Sequence, residues 1–170
     1  SASKIDEQVE LAAENGHIDC MQCLREQRLT WNETTFRTAA HDGHLTCLQY
    51  LREHGCPWDE WAPTAAAING HLECLKYLRE QGCPWNKSVS TVAALHNQLY
   101  CLQYIREQGC PWSFGATLLT IKIAHNTVSE EHFGICMNIL CSLVNSKGPG
   151  YGNILAMPLY VEYTSSPWLK

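Results

Sequence analysis

The strongest constraint on this chain is a period. The stretch Gly70–Trp85 (GHLECLKYLREQGCPW) also stands, lightly edited, 27 residues earlier (70 − 43 = 27) as Gly43–Trp58 (GHLTCLQYLREHGCPW). Looser copies are Gly16–Trp31 (GHIDCMQCLREQRLTW) and Asn97–Trp112 (NQLYCLQYIREQGCPW). A segment this short cannot bury its apolar face alone, so copies must stack on copies in a repeat array.

Each copy reads as a helix with its own stop signal. Leu72, Cys74, Leu75 and Leu78 mark one broad buried face, and equivalent positions predict helices over 18–27, 45–54, 72–81 and 99–108. Gly55, Gly82 and Gly109 sit where a helix end turns left-handed, and Pro57, Pro84 and Pro111 forbid continuation. Arg28 replaces that glycine in the first copy and predicts a looser turn there. After each tryptophan comes a capping residue, Asn32, Asp59, Asn86 or Ser113, so second helices are expected over 33–42, 60–69, 87–96 and 114–124. The pairs Ala39-Ala40, Ala66-Ala67 and Ala93-Ala94 let these second helices approach one another closely.

Before the first copy, residues 4–15 read as a helix with Ile5, Val9, Leu11 and Ala12 apolar. After the last, Thr127–Glu131 looks like an insertion ahead of a terminal helix over 131–144. The breaker run SKGPGYG then leads into Asn153–Lys170, which has no helical period but is too apolar for a solvated linker. The expected organisation is an array over residues 1–145, of about five units, and an extended tail over 146–170 that docks on this protein or on a partner. The expected fold class is all-α, a right-handed helical-repeat solenoid of helix pairs without β-hairpin fingers.

Composition excludes several classes. An apolar fraction of 45% with 17% charged residues suits a folded soluble chain. No apolar run approaches the roughly 20 residues of a membrane helix. A net charge of −5, with no cluster of Lys and Arg, gives no footprint for nucleic acid. Of ten cysteines, Cys20, Cys47, Cys74 and Cys101 form one column, and Cys56, Cys83 and Cys110 another. Neighbours in a column stand about one helix spacing apart, ~8–10 Å, too far for a disulfide of ~4.4–6.8 Å between Cα atoms. They read as reduced core thiols, which favours a reducing intracellular compartment, cytoplasmic by default. The start at Ser1-Ala2-Ser3, without an initiator methionine, leaves an organellar processed form open.

Taken together, these residues carry a family resemblance. GHLECLKYLREQG resembles the second helix of an ankyrin repeat, and PTAAAINGH (63–71) the end of the helix before it, through Pro63, Thr64, Ala66, Ala67, Gly70, His71, Leu72, Glu73, Leu75, Leu78 and Gly82. The resemblance spans roughly residues 4–145. The unit of 27 residues is shorter than the usual ~33, and CPW stands where the family has a longer hairpin finger. The set resembles the short arrays with a CPW signature in some protists and large DNA viruses. The resemblance implies a non-catalytic scaffold that binds another protein and needs no cofactor.

Several repeated columns suit structural roles better than functional ones. His17, His44 and His71 form a column too widely spaced to share one ion, and hydrogen bonding to turn backbone suits them better. Cys20 and Cys23 make a CxxC with no partner set for zinc. The ladder Trp31, Trp58, Trp85 and Trp112 keeps strict period, as a packing spine would. The Arg-Glu pairs at 25–26, 52–53, 79–80 and 106–107 read as a solvated ridge. No phosphate loop, HExxH or nucleophile elbow appears, so no catalytic residue and no metal ligand is assigned.

Framework columns are set by stacking, so recognition is expected where copies disagree. The first turns of the second helices vary and supply Glu33, Arg37, Glu60, Trp61, Thr64, Lys87 and Thr91, with Trp61 and Arg37 foremost because Trp and Arg are enriched at interface hot spots. An alternative for Trp61 is packing on Trp58 or Trp85. The tail adds Tyr160, Tyr163 and Trp168. Two functions follow: a scaffold or adaptor gripping a protein by the variable face, or an accessory subunit of a larger assembly anchored by its tail. A thiol or metal enzyme is the least supported class.

Overall fold

The computed structural model describes residues 2–27 and 30–146. Arg28, and the tail candidates Tyr160, Tyr163 and Trp168, lie outside the described residues. These form ten helices and no strand: α1 (Ala2–Glu14), α2 (Ile18–Glu26), α3 (Glu33–His41), α4 (Leu45–Glu53), α5 (Ala62–Ile68), α6 (Leu72–Glu80), α7 (Ser88–Leu95), α8 (Leu99–Glu107), α9 (Phe114–Asn126) and α10 (Glu130–Asn145). The chain is a helical-repeat solenoid, as the period demands, and the CPW segments connect units without β-fingers.

The helices line up in two rows. The odd-numbered helices pack closely on one another, each also against its even-numbered partner, while the even-numbered helices touch less. The alanines explain this. Ala39, Ala40, Ala66, Ala67 and Ala93 are fully buried, and their small side chains permit close backbone approach. The odd row is therefore the tighter, inner one. Between the rows lie Leu48, Leu51, Leu75, Leu78, Leu102 and Ile105, all at 0% exposure, each burial contributing roughly 1.5–3 kcal/mol.

Both turns of each unit end helices in the same way. At one, the Cys56 N–H donates to the Leu51 carbonyl and the Gly55 N–H to Arg52, with Gly55 at φ +76°; the same set recurs around Gly82 and Gly109. At the other, Gly16, Gly43 and Gly70 are left-handed, and Asn97 takes their place at φ 57°. Here glycine has a second cause, because a Cβ on Gly43 would lie 2.4 Å from Nδ1 of His71. Gly16 lies likewise against His44, and Gly70 against Gln98.

Side chains then stitch unit to unit. His44 Nε2 meets the Glu14 carbonyl at 2.7 Å, and Gln98 Nε2 donates to the Ile68 carbonyl at 3.1 Å. In the histidine column His44 thus bonds turn backbone, and Gln98, in the same register, does the same work. The CPW thiols of Cys56 and Cys83 donate to the carbonyls of Asn32 and Asp59, both at 3.4 Å. The tryptophan ladder is half-buried against the core.

Two expectations need correction. The arginine ladder is not a merely solvated ridge. Arg25, Arg52, Arg79 and Arg106 lie over Trp31, Trp58, Trp85 and Trp112, with Arg52 at 3.9 Å from the ring centroid. Arg25 and Arg79 also donate to the carbonyls of His54 and Gln108, at the end of the next unit's helix. A planar cation suits both tasks, and Arg25, Arg52 and Arg79 stay exposed while making them. Cys20 is not a core thiol: its column mates are buried under a preceding helix, and at α2 Cys20 and Cys23 are exposed. Leu11 faces the same end, 56% exposed.

The terminal units depart for a local reason. Ala124 stands where Gly43, Gly70 and Asn97 stand in register. Alanine has no ease in the left-handed turn, so α9 runs on to Asn126 and is 13 residues long. Ser129 then caps α10, accepting from the His132 N–H, and α10 packs on α8 and α9. Arg106 ties its far end, donating from Nε to Ser142 Oγ and from Nη2 to the Ser142 carbonyl, both at 2.9 Å.

Candidate protein-binding face

The inner row presents a grid. At spacing i, i+4, i+8, α3 and its cap side offer Glu33, Arg37 and His41. The equivalents are Glu60, Thr64 and Ile68 at α5, Lys87, Thr91 and Leu95 at α7, and Phe114, Leu118 and Lys122 at α9. Parallel helices in a stack hold these positions in rows, so a partner would read one residue from each unit per row.

The middle row is partly occupied by the fold itself. Arg37 donates from Nε to Asp59 Oδ1 at 3.0 Å, and its other nitrogen pairs with Oδ2. That contact, chiefly the hydrogen bond, raises the Arg37 pKa above its usual value. Thr91 Oγ1 and Ser113 Oγ lie 2.6 Å apart. In both cases the residue reaches the cap of the next unit, 22 positions on. Thr64 lies in the same column, only 6% exposed, and its Oγ1 is buried without a hydrogen-bond partner. Arg37 and Thr91 thus latch their units to the next one, and Thr64 does not.

Asp59 does more than pair with Arg37. Its Oδ1 accepts from the Trp61 N–H at 3.0 Å, forming a turn that delays the helix to Ala62. Asn86 acts alike, accepting from the Ser88 N–H at 2.8 Å. Of the four residues that follow the tryptophans, Asn32 and Ser113 cap at three residues, accepting from Thr35 and Ala116. The expected helix starts at 60 and 87 are corrected accordingly to 62 and 88. The consequence is positional: Trp61 is held at the mouth of α5 by a turn whose anchor is clamped from the neighbouring unit. It is 47% exposed and stands outside the core cluster that takes in Trp58 and Trp85.

Glu33, Glu60 and Lys87 are exposed beside it. Sequence comparison missed the rest of this surface. Leu95 is 63% exposed, Phe114 58% and Leu118 53%, so the grid turns from charged at α3 to apolar at α9. The signal was present: Phe114 ends the column Glu33, Glu60, Lys87, and Leu118 ends Arg37, Thr64, Thr91.

The exposed pair Cys20 and Cys23 lines a groove with Leu11 and Leu24 at the α1–α2 end. Among the described residues no group of three His, Cys, Asp or Glu side chains is gathered around one point, and no described helix is long and apolar enough to cross a membrane.

These features define a class: stacked helix pairs with an invariant framework and a variable inner face, a helical-repeat solenoid. Residues 9–89 match the family model of ankyrin repeats (3 copies), which supports an ankyrin-repeat-like family for that part of the chain. No curated protein matches it. Ankyrin repeats are generally protein–protein interaction modules, and the family is typically non-catalytic.

Proposed function

We propose that this chain is a non-catalytic scaffold that binds a protein partner on the inner face of the odd-numbered helices. One observation carries the reading: Trp61, just before α5, and Phe114 and Leu118, on α9, are large apolar side chains left exposed on the odd-numbered row. Large apolar side chains exposed among charged ones are the usual make-up of an interaction surface. Glu33 and Glu60 at one end, with Lys87 and Lys122 towards the other, give the face a polarity that would orient a bound chain. The centre falls at Trp61 and Lys87, with Arg37 acting through Asp59 to hold Trp61.

Cross-linking mass spectrometry in native lysate tests this. Lys87 should cross-link to one recurrent protein, and Trp61→Ala should abolish that link while leaving thermal stability within a few degrees. A link that survives Trp61→Ala together with Phe114→Ala would move recognition off the face. A large loss of stability in Trp61→Ala would return the residue to the framework.

A further inference from the structure

Three joints of the stack are closed in the same way and the fourth is open. Over Gly16 sits His44, over Gly43 sits His71, and over Gly70 sits Gln98. At the first and third joints the side chain bonds a carbonyl two residues before the glycine, that of Glu14 or Ile68. At the fourth joint the turn residue is Asn97 and the equivalent carbonyl belongs to Leu95. The residue in register to meet it is His125 (95 + 30, as 14 + 30 = 44 and 68 + 30 = 98). Because Ala124 fails to turn, His125 stays within α9, with Nδ1 3.4 Å from Oδ1 of Asn126. What remains is a groove of about 510 Å³ lined by Leu95, Asn97, Leu119, Lys122, Ile123 and Val128. Leu95 is 63% exposed beside it, and Val128 102%.

The closed joints state what fits. Each uses a side chain with an N–H donor, preceded by a turn residue and followed at once by an apolar one: Gly43-His44-Leu45, Gly70-His71-Leu72, Asn97-Gln98-Leu99. After α10 the chain offers that order again, as Gly152-Asn153-Ile154. The reach agrees. The groove is also lined by Ser129 and His132, at the start of α10, and a helix of 16 residues spans about 24 Å. Asn153 stands seven positions beyond Ser146, and that stretch, fully extended, spans about 23–25 Å. Asn153 is thus able to return to the groove.

We propose that the segment Gly152–Val161 docks in this groove of its own chain and closes the fourth joint. The Asn153 amide donates to the Leu95 carbonyl, and Ile154 and Leu155 cover Leu95 and Val128. The tail then acts as the missing half-unit of the array and is not available as an anchor. The groove takes in Leu95 and Lys122 from the end of the inner face and leaves Trp61, Lys87, Phe114 and Leu118 outside it, so loss of tail protection and loss of the Lys87 cross-link are separate outcomes.

Hydrogen exchange on the full chain, read by mass spectrometry, tests it. Amides of 153–161 should exchange at least about tenfold more slowly than in a synthetic peptide of residues 150–163. Leu95→Asp, an exposed substitution, should remove that protection, as should Asn153→Ala in part, while exchange in α1–α6 is unchanged. Tail amides exchanging at the free-peptide rate would overturn the proposal. So would protection indifferent to Leu95→Asp, which places the tail elsewhere. Protection that grows with protein concentration would assign the groove to the tail of a second copy, and would overturn docking in the same chain.

Discussion

Burial makes the thiols of this array a source of pH sensitivity. Loss of surrounding water, the leading cause in each case, pushes Cys56 and Cys83 up to about 12, and Cys74, Cys101 and Cys136 up to about 11, from 9.0. In the unfolded chain these groups lose their protons near 9, while the folded chain keeps them. The folded state therefore binds more protons between pH 9 and about 12, so this stability is whole below 9 and lost as pH rises through that window. Linkage sets the slope at roughly 1.4 kcal/mol per thiol per pH unit. The urea midpoint under reducing conditions should be flat from pH 7 to 9 and fall steeply by 10.5; a midpoint still flat at 10.5 would show that the thiols are hydrated. Alkylation of the native chain at pH 8 should label exposed Cys20 and Cys23 first, with Cys47, Cys56, Cys74 and Cys83 last, as peptide mapping would show.

At the scale of the element, the two turns of a unit are chemically similar and energetically different. Around Gly82 no atom lies within 4 Å of an added Cβ, so Gly82→Ala should cost only the left-handed backbone, about 1–2 kcal/mol. Gly43→Ala should cost clearly more, because the new Cβ meets the His71 ring. Equal costs by chemical denaturation would mean that the ring moves aside freely. The sequence made both glycine columns legible as helix ends, since φ above zero has a residue signature. It did not reveal the His71 contact, which joins residues 28 apart. The same limit applies to caps. Asn32 and Asp59 are equally good cap types, yet Asn32 accepts from the N–H three residues on and Asp59 from the N–H two residues on, a difference that the residue types do not announce. Asp59→Ala should therefore weaken partner binding through Trp61 and cost about 1–2 kcal/mol of stability, since it removes both the ion pair and the bond to the Trp61 N–H. Unchanged affinity in that variant, measured against the cross-linked partner, would separate Trp61 from its turn.

Across the whole molecule, what could be read from the sequence was what the period repeats, and what could not was what happens where it fails. Leucine, alanine, glycine and tryptophan columns foretold a two-row stack because each unit meets the same neighbours. Exposure of Cys20, the long α9 and the open joint at Asn97 arise at the ends, where a residue keeps its column but loses its neighbour. The arginines misled for another reason: a charge next to glutamate looks solvated until the tryptophan ring beneath it is placed. A stack held by nearest-neighbour contacts should tolerate loss of one whole period. Deletion of residues 60–86 joins Asp59 to Lys87 and restores each framework column, including the Cys56-Pro57-Trp58 turn before the cap. The shortened chain should keep its helical content per residue by circular dichroism and unfold cooperatively at a lower urea midpoint, with a smaller m-value because less surface is exposed. Deletion of residues 60–72, about half a period, puts inner-row residues against outer-row positions and should leave no cooperative transition. If the half-period deletion unfolded as cooperatively as the full one, the alternating columns would not be what holds the units in register.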